Sequence, residues 1–223
     1  MTLDHRATCS IITHPLAQHA LTTLRDKETD SITFRRELKR LGSVCLHTLV
    51  PEYLSSQETT VETPLATTTG QRVTDDVVVI GILRAAVPFL EGVIEGIPQA
   101  RQGLISASRD EDAGMDSDGR FPITVKYVNL PEIHDEDTVI VADPMLATGS
   151  TMVAALSEIH ANADPAQTVV CAAVSAPEGI ARVNEQFPAV DVVTVGYDDG
   201  LDENGFIVPG LGDAGDRAFG TTE

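Results

Sequence analysis

The stretch from Val139 to Thr151 holds the residue types best suited to chemistry in this chain. An apolar run delivers an acid, Asp143, followed by Pro144, Met145 and Leu146. The small and hydroxylated residues Ala147, Thr148, Gly149, Ser150 and Thr151 come next, and a helical pattern begins there. Small residues let backbone N–H groups approach a ligand closely, and a helix N-terminus adds partial positive charge. Together these form a cradle for phosphate, with three hydroxyls as further donors. An acid placed just ahead of such a cradle can accept hydrogen bonds from sugar hydroxyls. A plainer reading fits the same letters, with Thr148 to Thr151 as a helix N-cap and Asp143-Pro144 as a turn. No lysine follows Gly149, so this is not the nucleoside triphosphate loop that ends in Gly-Lys-Ser/Thr.

A second Gly-rich block runs from Gly205 to Arg217, and its Gly210, Gly212 and Gly215 match the G-x-G-x-x-G spacing of dinucleotide-binding turns. That fingerprint needs a helix behind it and an acid about 20 residues further on. Only eight residues follow Gly215, so the dinucleotide reading fails. Arg84 and Arg109 each stand at the end of a predicted strand. Arginine offers a planar fork of donors that suits phosphate oxygens and keeps its charge.

Asp143-Pro144-Met145-Leu146-Ala147-Thr148-Gly149 resembles the phosphoribosyl pyrophosphate (PRPP) motif of type I phosphoribosyltransferases, in the form used by uracil phosphoribosyltransferases. The similarity runs through His14-Pro15-Leu16, Leu24-Arg25-Asp26-Lys27, Val61-Glu62-Thr63-Pro64-Leu65, Ile82-Leu83-Arg84-Ala85, Ser108-Arg109 and the C-terminal block, in the family's order. Ser150 departs from the second glycine usual in bacterial members. Ala86-Val87-Pro88-Phe89 departs from their Gly-Leu-Gly-Met, and both departures resemble the archaeal branch.

The resemblance implies an α/β, type I phosphoribosyltransferase-like fold: a mostly parallel sheet flanked by helices over about residues 72–196, under a hood from about 1–71 and 197–223. It also implies transfer of phosphoribose from PRPP to uracil, giving UMP and diphosphate. Arg84, Arg109, Asp143 to Thr151 and Asp213 would then contact PRPP, with Asp143, Arg84 and Arg109 at the chemistry. Ile207, Gly212, Asp213 and Ala214 would contact uracil. Mg²⁺ would arrive on the substrate's oxygens, with no metal ligand supplied directly by the protein. A homodimer or homotetramer is expected, with GTP and CTP as effectors. The competing readings are transfer to another base and a non-enzymatic pyrimidine regulator on the same fold.

Arg25, Lys27, Arg35, Arg36, Lys39 and Arg40 gather six of the chain's 15 bases within 16 residues. On a helix, Arg36, Lys39 and Arg40 share a face. They read either as a solvated helix paired with a neighbouring subunit or as an effector site over Arg36, Glu37, Leu38, Lys39 and Arg40, the expected GTP contact.

The elements that must position these residues follow from periodicity. Val77–Leu83, 103–107, 138–142, 168–174 and 190–195 are apolar runs that predict strands, alternating with a helical stretch through Phe89, Leu90, Val93 and Ile94 that stops before Pro98 and with helices near 151–160 and 177–186. Fully apolar strands alternating with helices mark a parallel sheet covered on both faces, which binds ligands at its strands' C-terminal ends. Residues 109–120 read as a mobile polar loop whose closure would bring Arg109 to the substrate and exclude water, with an extended 121–128 behind it. Helices are predicted near 16–24 and 32–49, and an extended segment at 60–65.

The composition limits the partners. The net charge is −19, from 34 acids and 15 bases, of which three are lysines (Lys27, Lys39, Lys126). Such a balance resembles cytoplasmic proteins of salt-loving archaea, where salt screens self-repulsion, and it opposes nucleic-acid binding. No apolar run is long enough to span a bilayer, and the first residues lack a signal-peptide pattern. Cys9, Cys45 and Cys171 are too few and too dispersed for a disulfide framework, and the six histidines show no metal-binding spacing. A cytoplasmic location is expected.

Overall fold

The computed structural model describes residues 2–109 and 122–221. In chain order the elements are β1 (Leu3–His5), β2 (Ser10–Ile12), α1 (Pro15–Arg25), α2 (Ser31–Tyr53), β3 (Ser56–Glu62), β4 (Thr67–Val73), β5 (Val77–Leu83), α3 (Ala86–Glu95) and β6 (Arg101–Arg109). There follow β7 (Ile123–Asn129), β8 (Thr138–Ala142), β9 (Met145–Leu146), α4 (Ser150–His160), β10 (Gln167–Ser175) and α5 (Pro177–Gln186). The described chain closes with β11 (Asp191–Tyr197), β12 (Gly200–Leu201), β13 (Ile207–Val208) and α6 (Ala214–Phe219).

The main sheet runs β1-β2-β11-β10-β8-β5-β6-β7, with β9 added on β10. All its pairings are parallel except β1 with β2 and β6 with β7. From β5 the chain crosses through α3 to β6 on one side. It then returns to β8 on the other side of β5 and winds outward through β10 and β11. The winding reverses between β5 and β8, which pair in register as Val79 with Ile140 and Gly81 with Ala142. A reversal of this kind opens a crevice beyond the strands' C-terminal ends.

Side chains alternate along the central strands, so one apolar run serves two cores. Val79, Ile140, Cys171 and Val193 face α1, α2 and α3, packing with Leu24, Leu38, Leu46 and Phe89. Val78, Ile80, Val141 and Val170 face α4 and α5, packing with Met152, Leu156, Ile159 and Val183. Burial of both faces is why these strands are apolar throughout.

The N-terminal region differs from expectation in two places. The first dozen residues, expected in the hood, form β1 and β2 and extend the main sheet beside β11. The extended segment at 60–65 is part of an antiparallel hairpin, β3 with β4, that stands apart from the main sheet. Its turn leaves the Leu65 side chain almost fully exposed.

Candidate active site

A cavity of about 630 Å³ opens at the winding reversal, between the ends of β5 and β8. Arg84 follows β5 and Asp143 follows β8. The loop after Asp143 forms one wall through Met145, Leu146, Ala147, Thr148, Gly149 and Thr151. The C-terminal block forms the facing wall through Gly205, Phe206, Ile207, Gly212, Asp213, Ala214 and Gly215. Segments more than 50 residues apart in sequence are thus brought to one cleft.

The cradle is shaped by its backbone. Asp143 accepts a hydrogen bond from the Met145 N–H (3.2 Å), which turns the chain beyond β8. The Pro144 carbonyl accepts from the N–H groups of Ala173 and Val174, so Pro144 ties the loop to β10 and does not itself line the cavity. Gly149 is the N-cap of α4 in the left-handed region (φ 78°), and no side chain caps the helix there. Gly149 offers no capping side chain of its own; the Ser150 N–H donates to Thr148 Oγ1 (3.4 Å), and the N-terminus of this eleven-residue helix faces the cleft. Ser150 is buried and also absent from the lining; its Oγ accepts from Thr148 Oγ1 (3.3 Å) and from Arg182 Nη1 (3.0 Å).

The floor of the cradle is the first turn of α5, which the sequence reading missed. A side chain on Gly179 would meet the Ala147 carbonyl oxygen at 2.4 Å, and one on Gly149 would meet the Gly179 carbonyl oxygen at 2.8 Å. The two backbones touch only because both residues are glycine. Arg182 Nη1 also donates to the Thr148 carbonyl (2.5 Å). The one available signal was a glycine two residues into an otherwise regular helix, at Gly179.

Arg84 is the one basic side chain among the described residues lining the cleft. The Leu83–Arg84 peptide that presents it is cis. Its Nη2 donates to Asp216 Oδ1 (3.0 Å) and Nη1 to Thr221 Oγ1 (3.3 Å), while the guanidinium lies over the Phe219 ring. Arg109 closes β6 opposite Ile123; its side chain lies outside the described residues, as do residues 110–121, on which the expected loop of 109–120 falls.

The C-terminal wall is suspended from the α1–α2 corner. Asp198 is buried and accepts from both terminal Arg25 nitrogens, Nη1 and Nη2 (2.9 and 2.5 Å). The two residues together grip Gly210: Arg25 donates to its carbonyl (2.9 Å), and Asp198 accepts from its N–H (2.8 Å). Arg217 donates to the carbonyls of Leu24, Leu211 and Asp26 and stacks over Phe34. Arg35 donates to the Ala218 carbonyl (2.5 Å). Asp213 caps α6 by accepting from the Asp216 N–H (2.8 Å), and this holds its carboxylate at the cleft.

The basic cluster divides as a result. Arg25 and Arg35 are internal struts of the C-terminal wall, not members of an exposed patch. Leu38 is fully buried in the core, so its side chain cannot meet an effector arriving from outside. Arg36 and Arg40 flank the buried Glu37 carboxylate (3.4 and 3.6 Å), and Lys39 pairs with Glu95 (3.5 Å). Glu37 Oε2 is buried without a hydrogen-bond partner among the described residues.

Comparisons with known proteins show the family. A sequence model of the family described as uracil phosphoribosyltransferase matches residues 11–221. The uracil phosphoribosyltransferase of Natronomonas pharaonis is 55% identical over 223 residues, covering 99% of this chain and 100% of its relative. That of Pyrococcus furiosus is 45% identical over 208 residues, covering 92% of this chain and 87% of the other. Among solved structures, the AQ2163 protein of Aquifex aeolicus superimposes with a TM-score of 0.86 at 32% identity, covering 95% of this chain and 98% of that one. An adenine phosphoribosyl transferase from Trypanosoma brucei, solved with AMP, pyrophosphate and ribose-5-phosphate, shares the fold at 14% identity and a TM-score of 0.55.

Proposed function

The chain belongs to the uracil phosphoribosyltransferase family, and from that premise we propose how its cleft performs the family's reaction. The protein is a pentosyltransferase that converts uracil and PRPP to UMP and diphosphate. The observation that carries the residue assignment is the meeting of the Asp143–Thr151 loop, Arg84 and the Gly205–Gly215 block around one cavity.

Asp143 accepts hydrogen bonds from the ribose hydroxyls. Arg84, joined by Arg109 from the end of β6, holds the diphosphate and stabilises its charge as the bond to ribose C1 breaks. The first-turn N–H groups of α4 and the hydroxyl of Thr148 or Thr151 hold the remaining phosphate. Uracil lies against Ile207 and Gly212-Asp213-Ala214, its N1 facing C1, and backbone C=O and N–H groups read the O4, N3–H and O2 edge. Positioning of the two reactants is the main source of rate, and no covalent enzyme intermediate is needed. Mg²⁺ belongs to the substrate and is carried on its oxygens, with no ligand supplied directly by the protein.

Three further features belong to the same reading. GTP acts as an effector through the exposed cations Arg36, Lys39 and Arg40, two of which pair with the buried Glu37 carboxylate, and CTP is a further effector. The exposed Leu65 of the hairpin favours assembly as a homodimer or homotetramer. The location is cytoplasmic; among the described residues no helix is long and apolar enough to cross a membrane.

The test is turnover of labelled uracil with Mg²⁺ and PRPP in molar KCl, beside hypoxanthine and orotate, with and without GTP. Conversion of uracil alone is expected. No conversion of uracil, or a preference for a purine, overturns the assignment. Arg36→Ala should keep basal turnover and lose any GTP response; an unchanged GTP curve returns the cluster to an ordinary solvated helix face.

A further inference from the structure

The charge that shapes the phosphate cradle from behind comes from a residue outside it. Arg182 stands on α5, one turn beyond the Gly179 that touches the loop. A single nitrogen, Nη1, donates to two acceptors of the loop: the Thr148 carbonyl at 2.5 Å and Ser150 Oγ at 3.0 Å. The second acceptor exists only because this chain carries serine where bacterial members of the family usually carry glycine.

The peptide between Thr148 and Gly149 is trans, so its C=O and N–H point in opposite directions. A carbonyl held by Arg182 on the α5 side turns the Gly149 N–H away from α5, toward the cleft that Gly149 lines. A guanidinium on the carbonyl also polarises the amide and makes that N–H a better donor. The Gly149 and Gly179 backbones approach so closely that a methyl on Gly149 would meet the Gly179 carbonyl oxygen at 2.8 Å, which leaves the loop little space toward α5. In a chain of net charge −19, a cation placed under an anion site also offsets the repulsion of the surrounding field.

We propose that Arg182 is a positioning residue for the reaction, bracing Thr148 and Ser150 so that the loop's N–H groups stay aimed at the phosphate on the ribose end of PRPP. The proposal rests on the reading of this cleft as the PRPP site. Arg84 and Arg109 take the diphosphate in that reading, so the brace governs only the other phosphate. It touches neither uracil nor the leaving group.

The experiment is steady-state kinetics of the full chain in molar KCl, comparing Arg182→Ala, Arg182→Lys and Ser150→Gly with the wild type. Inhibition constants for ribose 5-phosphate and for inorganic diphosphate are measured alongside. Loss of a charge-assisted hydrogen bond corresponds to a change of about tenfold. Arg182→Ala is therefore expected to raise KM for PRPP and Ki for ribose 5-phosphate by about tenfold. The uracil KM and the diphosphate Ki should stay within about twofold. Arg182→Lys should recover part of the loss, and Ser150→Gly should show a smaller loss of the same pattern.

A folded Arg182→Ala enzyme with unchanged KM for PRPP overturns the brace, as does a uniform weakening of all four constants. Should Arg182→Ala fail to fold, Ser150→Gly and Arg182→Lys are read by the same criteria. A wild-type protein without PRPP-dependent turnover sinks the transferase reading and this proposal with it. Wild-type turnover with unaltered Arg182 variants sinks the brace alone.

Discussion

Arg84 and Asp216 are bound to each other across the mouth of the cleft, Nη2 to Oδ1 at 3.0 Å, and Thr221 Oγ1 donates to the same carboxylate oxygen at 2.7 Å. The contact ties the end of β5 to α6, so the arginine assigned to diphosphate is held by the segment assigned to uracil. Gly215 lies beside this pair; a Cβ there would sit 3.2 Å from Asp213 Oδ1 and 3.4 Å from the guanidinium. On that assignment, the group that holds the leaving diphosphate is linked through protein to the wall that holds the incoming base.

Removing Arg84 should show how much of the substrate's charge this cation meets. Arg84→Ala is expected to raise KM for PRPP by at least about tenfold while the uracil KM changes little. The fold should be nearly unaffected, because a half-exposed ion pair contributes only about 0–1 kcal/mol. Initial-rate kinetics and thermal melts check both parts; an unchanged KM for PRPP would remove Arg84 from the diphosphate site.

Asp143→Asn keeps an oxygen that can accept from the Met145 N–H, so the turn after β8 should survive. What it loses is charge facing the ribose, and kcat should fall by about 10²-fold or more. Circular dichroism and turnover measured on one preparation decide it. Wild-type activity would end the ribose role.

The paired Arg25 and Asp198 give a contrasting case, since they act on the base side through Gly210. Asp198→Ala leaves Arg25 without its carboxylate and Gly210 without its N–H acceptor. A loss of about 3 kcal/mol is expected, the low end for a broken buried pair because Arg25 remains partly exposed. In the folded fraction the uracil KM should rise more than the PRPP KM. Denaturant titration and kinetics measure the two effects, and an equal change in both KM values would contradict this assignment.

The described central strands were legible in the amino-acid sequence because their burial is two-sided. The segments Val77–Leu83 and Thr138–Ala142 form strands over the residues the apolar runs mark, and Pro177–Gln186 forms its helix. The β3–β4 hairpin was only half seen, since Thr67 to Val73 is polar on both faces and carries no alternation to read. Arg182 was invisible for another reason: its partner Thr148 is 34 positions earlier, and in sequence it is one more polar residue on an amphipathic helix. Arg25 and Arg35 were grouped with Arg36 and Arg40 because charge spacing along a chain cannot reveal which cations turn inward to backbone carbonyls.

Acid sensitivity should involve His160. Burial, slightly opposed by Asp164, holds its pKa below the ordinary value of 6.5, and its ring stacks on Phe187 at 5.5 Å. The unfolded chain takes up a proton near 6.5 and the folded one only at lower pH. Stability is therefore complete above about 6.5, declines as pH falls toward the folded pKa and then levels off. His160→Phe preserves the stack and should flatten that part of the melting-temperature profile between pH 5 and 7; an unaltered slope assigns the acid sensitivity elsewhere.

Salt should act in the opposite sense to its usual effect on surface ion pairs. With a net charge of −19, self-repulsion outweighs the few exposed pairs, and the screening length falls from about 10 Å at 0.1 M to about 3 Å at 1 M. The melting temperature is expected to climb steadily with KCl. A fall over that range would show that the ion pairs dominate.

The suspension of the C-terminal wall from Arg25, Arg35 and Phe34 has a consequence for the order in which the protein becomes competent. During translation, α1 and α2 and the whole parallel sheet leave the ribosome before residues 205–217 do. The Arg25 side chain must wait for Asp198 and Gly210, and Phe34 for Arg217. A nascent chain can thus assemble its cradle early yet own only one wall of the cleft.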